Sequence, residues 1–313
     1  MKIKGLSLIS NYPYLIVVLI MSVSLLGCTT PAQQEEEEEE PEVFELGMAS
    51  FLPTIETSAG QLWVGDWIDE VEQATGGRVK ITHHAFGTVC SPAEIYDAVY
   101  RGTLELGFLY PQLNPGYFPM TDIFSVPPSD IISDHMGRIF WELYQEFPEM
   151  QEEYAGVELL FTIAYANCGI GTSTPITSLA DMEGMQFQAP GRWPGKQVEA
   201  WGASPMSIPD ADIFMALQTG VVDGMMTHWA FLAPFPAGGL GFGELLKYYT
   251  EINCFTAPFI MIMNKDVWNS LPSDIQEAIE GVSGVERVDA IDAANWQLME
   301  VECKAAAEDA YGC

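Results

Sequence analysis

Short apolar runs alternate with segments of helical periodicity along the first part of the chain. The strand-length runs are at residues 44–50, 76–81 and 102–108, and the helix-like segments are at residues 58–74 and 92–100. In the first helix-like segment the apolar side chains recur on one face, as in a helix with one buried side. The order strand, helix, strand, helix, strand predicts a parallel sheet with helical crossovers.

The second part of the chain repeats this organisation. Residues 178–229 contain three further short apolar runs, each ended by glycine or proline and separated by helix-period segments. This pattern predicts a second α/β layer. An apolar strand at residues 157–165 leads out of the first layer, and residues 253–263 predict a single strand that returns to it.

Composition narrows the class of protein and of partner. The 313 residues are 48% apolar and 18% charged, which is typical of a globular chain that can bury a sizeable core. The formal net charge is −32. A surface this acidic repels nucleic acid and anionic lipid headgroups, so we expect no nucleic-acid partner.

The first 42 residues differ from the rest. Two lysines precede an apolar run of roughly 15 residues, shorter than the ~20 of a spanning helix, and the run ends in Leu25-Leu26-Gly27-Cys28. We predict that residues 1–27 are a lipoprotein signal peptide, cleaved before Cys28, whose thiol is lipidated. The alternative is an uncleaved signal anchor with an incidental cysteine. Residues 28–42 include six consecutive glutamates and predict a solvated tether.

A series of motifs resembles one known family by its order and spacing. The motifs are Ala74-Thr75-Gly76-Gly77-Arg78-Val79, Tyr96-Asp97-Ala98-Val99, Asn114-Pro115-Gly116-Tyr117-Phe118-Pro119-Met120, Leu179 to Met185, Gly202 to Pro209, Ala216 to Gly224, and Met263-Asn264-Lys265 with Trp268, Leu271 and Pro272. Over about residues 44 to 280 this succession resembles the solute receptor of tripartite ATP-independent periplasmic (TRAP) transporters.

The resemblance implies a fold and a function. The fold would have two lobes like a periplasmic binding protein, with a cleft between them and hinge strands crossing. Lobe I would comprise residues 43–165 and about 253–292, and lobe II about residues 166–252 and 293–313. The implied function is capture of a small organic acid, without turnover or cofactor, and delivery to a membrane permease. Family members usually continue with long C-terminal helices, so at Cys313 the domain would be either trimmed or truncated.

The family's principal ligand contact is replaced in this chain. Members carry an arginine in the strand before the Pro-Gly turn, and its planar fork holds a ligand carboxylate with two hydrogen bonds. The matching residue here is Gln188, which is neutral. Three explanations stay open: Arg192 reaches in from the following loop, the ligand is neutral or weakly acidic, or the pocket binds nothing of the usual class. Arg192 could equally be a plain surface cation.

Further candidate contacts follow from the same resemblance. Thr227 stands where many members have an asparagine that contacts ligand, and the same loop carries Met225, His228 and Trp229. The alternative for Met225 and Met226 is that they face the core. Candidates at strand ends or loops near the expected cleft mouth are Phe51, Tyr110, Gln112 and Trp193. This loop and Gln188 suggest a ligand more apolar or aromatic than a C4-dicarboxylate.

Two other functions compete with this interpretation. One is a lipid-anchored receptor of another transporter or of a sensory system. The other is an enzyme or a metal-binding lipoprotein, but the sequence has no G-x-S-x-G, P-loop or H-E-x-x-H motif and no C-x-x-C pair. Adjacent His83 and His84 would face opposite sides of a strand, so we expect no metal site there. The cysteines allow one disulfide or buried free thiols.

Overall fold

The computed structural model describes residues 42–52, 54–126, 133–234 and 239–312. The predicted signal peptide, the lipidation of Cys28 and nearly all of the acidic tether lie outside these residues and stay predictions. Within the described ranges, no helix has the length and apolar character needed to cross a bilayer.

The strands of the described chain form two five-stranded sheets. Sheet I contains β1 (Phe44–Ser50), β2 (Val79–His84), β3 (Leu106–Leu109), β4 (Val157–Ala164) and β10 (Pro258–Asn264), in the spatial order β2-β1-β3-β10-β4. Sheet II contains β5 (Cys168–Thr172), β6 (Gln186–Gln188), β7 (Ser204–Met206), β8 (Gly224–Thr227) and β9 (Tyr248–Phe255), in the order β7-β6-β8-β5-β9. The predicted α/β class with two lobes is confirmed.

Helices cover the sheets and connect their strands. They are α1 (Ser58–Gly60), α2 (Asp66–Ala74), α3 (Ile95–Tyr100), α4 (Ser133–Glu146), α5 (Pro148–Glu153), α6 (Arg192–Ala200), α7 (Asp210–Gln218), α8 (Trp229–Leu232), α9 (Lys265–Ser270), α10 (Ser273–Gly281), α11 (Gly284–Trp296) and α12 (Cys303–Tyr311). A π-helical stretch, Gln61–Gly65, joins α1 to α2, so the helix predicted at residues 58–74 is continuous. It buries Val64, Trp67, Ile68 and Val71, as its periodicity predicts, and it also buries Trp63, which the periodicity did not indicate.

Strand directions bring the carboxyl ends of the parallel strands to one edge of each sheet. In sheet I, β1 runs parallel to β2 and β3, and β10 is antiparallel to β3 and β4. In sheet II, β6 runs parallel to β7 and β8, and β5 is antiparallel to β8 and β9. We call residues 165–167, between β4 and β5, and residues 256–257, between β9 and β10, the crossing segments. Since β4 leaves sheet I where β1 and β3 end, and β5 enters sheet II where β8 ends, these two edges face the crossing segments.

The returning segment differs from its prediction. The sequence predicts one strand at residues 253–263, whereas the chain forms the end of β9, a break at Thr256 and Ala257, and then β10. The break joins the two crossings, because the Tyr165 N–H donates to the Ala257 carbonyl at 2.7 Å and the Thr256 hydroxyl donates to the Tyr165 carbonyl at 3.0 Å. Residues 254–264 are all buried, so the hydropathy pattern stays apolar across the break and does not indicate it.

The last helical segment extends over both lobes. A π-helical stretch, Gln297–Glu302, joins α11 to α12 without interruption. The first part packs on α4 and β4 beside sheet I, and the last part packs on α8 and the 3₁₀ turn Phe242–Glu244 beside sheet II. The residue boundaries predicted for the two lobes stay predictions.

Sheet I tolerates little change where α3 packs on it. A Cβ atom on Gly107 of β3 would lie 2.7 Å from Ile95 Cγ2 and 2.9 Å from Val99 Cγ2. Both methyl groups belong to stiff β-branched side chains. We expect Gly107→Ala to lower the free energy of unfolding by about 1–3 kcal/mol, measured by denaturant titration. The matched control is Gly281→Ala, where nothing lies within 4 Å of the new methyl group; equal losses in both variants would contradict the packing of α3 on β3.

Candidate functional site

The site is defined by the edges at which the two sheets face the crossings. In open α/β sheets, ligands bind beyond the carboxyl ends of parallel strands, and small-molecule sites occur between lobes. Phe51 and Tyr110 directly follow β1 and β3, while Gln188 and Thr227 end β6 and β8. These four candidates therefore lie at the two facing edges.

Aromatic rings from lobe I and the crossings form the floor of this cleft. We call Phe51, Trp63, Tyr110, Tyr165 and Phe259 the hinge aromatics. Around Phe259 the ring centroids lie at 4.7 Å for Phe51, 4.8 Å for Tyr165 and 5.5 Å for both Tyr110 and Trp63. Because these rings pack mostly edge-on and tilted, the floor is apolar and well packed.

Lobe II contributes polar groups that are buried without partners. Gln188 is 4% exposed and Thr227 is 1% exposed. Gln188 pairs in register with Met225, so Gln188 and Thr227 are diagonal neighbours on adjacent strands. Neither Gln188 Oε1 nor Thr227 Oγ1 has a hydrogen-bond partner in the described part of the chain. A buried polar atom left in this state costs about 1–3 kcal/mol, so a site with two of them favours a ligand that bonds to them.

The rims of the two lobes come close together at Gln112 and Gly191. A Cβ placed on Gly191 would lie 3.7 Å from Gln112 Cβ. Gly191 has φ 82°, a conformation that disfavours other residues, so it permits the turn before α6. Gln112 donates from Nε2 to Ser125 Oγ at 2.7 Å, and its buried Oε1 has no partner among the described residues. The cleft is therefore narrow in this arrangement.

The start of α6 combines a cation with free backbone donors. Gly191 provides no side-chain cap, so the first N–H groups of α6 keep the positive end of the helix dipole unmasked. Arg192 is exposed, and its guanidinium carbon lies 5.0 Å from the centroid of the half-buried Trp193 ring. Within the described ranges Arg192 forms no ion pair.

Arg192 also acts on lobe I. Burial raises the pKa of the Asp122 carboxyl, and the positive charge of Arg192 partly offsets this rise. An electrostatic interaction across the cleft therefore links the rim of lobe II with lobe I.

His228 faces the hinge in a neutral form. Its Nε2 lies 2.6 Å from the Tyr165 hydroxyl, and its Nδ1 accepts from the Ala230 N–H at 3.3 Å. Since Nδ1 accepts a hydrogen bond, Nε2 carries the proton and donates to Tyr165. Burial lowers the pKa of His228 to about 3. The ring therefore serves as a fixed donor at the back of the cleft.

The structure does not bring all candidates to the cleft. Met225 packs with Ile213, Phe242 and Leu246 in a separate core cluster, and Met226 lies in the main core. Both are buried, which is the alternative that the sequence left open. The Trp229 indole packs on Tyr249 at 4.2 Å and donates to Glu251 at 3.2 Å, toward β9 and away from Gln188 on β6. Met225 and Trp229 are therefore not carried into the site.

Sequence reasoning missed Tyr165 and Phe259 as site residues. Both lie in apolar runs that hydropathy assigns to buried strands, and the crossing that brings the half-buried Tyr165 and the buried Phe259 beneath the cleft has no local motif. Their aromatic side chains at strand termini were the available signal.

The described side chains do not support the alternative of a metal-binding protein. In the described residues no three His, Cys, Asp or Glu side chains are grouped for a metal. His83 lies 2.7 Å from Ser50 Oγ, and burial lowers its pKa. Cys90, Cys168 and Cys254 are free thiols and Cys303 is not part of a disulfide, while Cys28 and Cys313 lie outside the described residues.

Comparison with known proteins assigns the family. The model of the DctP family, "bacterial extracellular solute-binding protein, family 7", matches residues 53–310. The chain belongs to this family. The resemblance to TRAP solute receptors that the motifs suggested is thereby confirmed.

Individual relatives are distant. The ectoine/5-hydroxyectoine-binding periplasmic protein UehA of Ruegeria pomeroyi is 25% identical over 69% of this chain and 62% of its own length. A monocarboxylate 2-oxoacid-binding periplasmic protein of Nostoc sp. is 26% identical over 66% of this chain and 57% of its own length. The match therefore spans only about 60% of the length of these two relatives.

A solved relative has the same fold. A TRAP periplasmic solute-binding protein from Desulfovibrio salexigens is 28% identical, with a TM-score of 0.73, covering 86% of this chain and 81% of that one. That crystal structure is an open complex in which the C-terminus of a symmetry mate occupies the ligand-binding site. The family 7 fold thus includes an open arrangement, whereas the rims lie close together in this chain.

Neutrality of His228 can be tested by histidine NMR. We expect the ring signal that disappears in His228→Gln to stay unchanged from about pH 8 to about pH 5. The unfolded chain binds a proton near the ordinary histidine pKa and the folded one does not, so this group lowers stability as the pH falls below about 6.5. A titration midpoint above about pH 5 for that signal would show that the Tyr165 contact has been misassigned.

Proposed function

We propose that this chain is the extracytoplasmic solute receptor of a TRAP transporter. It captures a small organic acid or related solute in the interlobe cleft and delivers it to the membrane permease, without chemical turnover and without a cofactor. Family membership supports the receptor role. The predicted signal and Cys28 support export and a lipid anchor, on the outer face of the cytoplasmic membrane or in the periplasm.

The observation that carries the proposal is the unpartnered amide oxygen of Gln188 at the facing strand ends. A buried amide oxygen without a partner is unfavourable in the empty cleft and becomes satisfied when a solute donates to it. Thr227 and Gln112 have buried oxygens in the same state, one from each lobe. A solute that bonds to both sides favours the closed arrangement, because only that arrangement offers all three partners at once.

Arg192 and the start of α6 supply the positive charge that Gln188 lacks. A carboxylate at this point could accept from the first backbone N–H groups of α6 and pair with the guanidinium, whose own partner is absent among the described residues. Helix N-termini and arginine forks both favour anionic groups. Together they replace the strand arginine of other members by a rim cation and backbone donors.

The solute is a hydrophobic or aromatic monoacid rather than a C4-dicarboxylate. The hinge aromatics make the floor apolar, and one rim cation suits one carboxylate. The names of the relatives from Ruegeria and Nostoc describe ligands other than C4-dicarboxylates. In a binding screen, succinate or malate at submicromolar affinity with hydrophobic acids silent would refute this assignment.

A second candidate is a lipid-anchored receptor of another transporter or a sensory system with the same fold. The cleft would bind the solute in the same way in that case, since capture precedes delivery. The presence of a TRAP permease gene beside the gene for this chain decides between them.

The grip on the solute is tested by paired variants. Native mass spectrometry of freshly purified protein identifies the solute it carries, and calorimetry with that solute then measures affinity. We expect Arg192→Ala to weaken binding roughly ten- to a hundredfold, with a smaller loss at high salt, and Gln188→Ala roughly two- to tenfold at any salt. Arg101→Ala removes the same charge at the opposite edge of sheet I and should change nothing. Equal salt dependence for all three variants would exclude an Arg192 ion pair.

A further inference from the structure

The last helix pins the first crossing segment on its lobe I side. Asp292 Oδ1 accepts from the Ala164 N–H at 3.1 Å, and Asn295 Nδ2 donates to the Ala164 carbonyl at 2.9 Å. Asn295 Oδ1 in turn accepts from the Trp63 indole at 2.8 Å. Since α11 packs on sheet I, these bonds fix the end of β4 to lobe I itself.

The same helix holds the other end of the crossing through one carboxyl group. Glu300, in the π-helical stretch between α11 and α12, accepts from the Asn167 N–H at 3.0 Å. Between the two anchored ends lies Tyr165, whose hydroxyl contacts His228 in the cleft. Movement of this crossing therefore moves Tyr165, which contacts both His228 and Phe259.

The two carboxyl groups differ in their access to water. Asp292 is 1% exposed, whereas Glu300 lines an open groove of about 390 Å³ together with Asn167, Glu251 and Trp296. The pairing of β5 with β9 shifts register between Cys168 and Ile170, and the extra residues of β9 at this bulge, Glu251 to Asn253, line the groove. Protons can reach Glu300 through this groove without unfolding of the hinge.

Burial opposes the charge on Glu300. It raises the pKa of that carboxyl to about 7; the Asn167 N–H lowers it, the negative charge of Glu251 raises it and the positive charge of Lys304 lowers it. The other titratable groups that face it are Tyr249 on β9, Cys168 on β5 and Cys303 on α12. Lys304 is already paired with Glu251 at 2.7 Å, so it only partly compensates the charge.

We propose that Glu300 is a positioning residue that couples proton uptake from the groove to closure of the two lobes. This rests on the proposed function, since it assumes a receptor that opens and closes. In the arrangement seen here, with the rims close together, Glu300 is half-buried against the crossing. Glu300 lies where the helix passes from its part on sheet I to its part beside sheet II, so opening that bends the helix there moves Glu300 away from Asn167. This separation hydrates the carboxyl group and lowers its proton affinity. By linkage, proton binding then favours closure, and ionisation at higher pH favours opening.

The test uses ligand-free protein, so it is readable even if no solute is ever identified. Small-angle X-ray scattering from about pH 5.5 to about pH 8.5 measures the radius of gyration. We expect wild-type protein to expand with a midpoint near pH 7, following the Glu300 carboxyl. Glu300→Gln keeps an acceptor for the Asn167 N–H and removes the charge, so it should stay compact at every pH.

Two further variants separate coupling from a merely structural role. Glu300→Ala removes the acceptor, so exchange of the Asn167 amide should accelerate roughly two- to tenfold, and Glu300→Gln should restore slow exchange. Asp292→Asn changes the buried carboxyl on the lobe I side and should keep the pH-dependent expansion. A wild-type radius without a pH transition, a transition retained in Glu300→Gln, or one abolished by Asp292→Asn would each overturn the proposal.

Discussion

Two crossings bonded to each other are the constraint on which the rest of this structure depends. The backbone bond from Tyr165 to Ala257 and the hydroxyl bond from Thr256 to Tyr165 join the outgoing and returning segments. Because both segments leave sheet I at its carboxyl edge and enter sheet II at the end where β8 terminates, the two edges must face one another. Loops and side chains at those edges then become the walls of one cleft.

The cleft combines an apolar floor with a few polar groups that the protein does not satisfy itself. The hinge aromatics surround Phe259 and exclude water, which strengthens any polar contact made above them. Gln188 and Thr227 contribute unpartnered oxygens from lobe II, and Gln112 contributes one from lobe I. Apolar burial gives affinity for carbon skeletons, and the unpartnered groups give orientation and specificity. A ligand that satisfies both requirements is small, largely apolar and carries at least one polar group.

Sequence patterns predicted much of the fold because burial and periodicity dominate there. Strands β1 and β4 and the helix beginning at Ser58 follow directly from apolar spacing. The break at Thr256 was not predictable, since the residues on either side are equally apolar and the bend is fixed by contacts with Tyr165. The candidate site was predicted less well. Gln188 ends β6 and Gln112 lies in the turn after β3, but Met225 packs in the core and Trp229 turns toward β9, because side-chain direction after β8 depends on tertiary packing.

The central claim is that a solute is held between the facing strand ends by Gln188 and the start of α6. The most direct test is a crystal structure of the protein with the solute that co-purifies with it. The account predicts polar atoms of that solute within about 3.2 Å of the Gln188 amide and of the first N–H groups of α6, with its apolar part against the hinge aromatics. A solute seated elsewhere, with the Gln188 amide still unpartnered in a closed cleft, would contradict it.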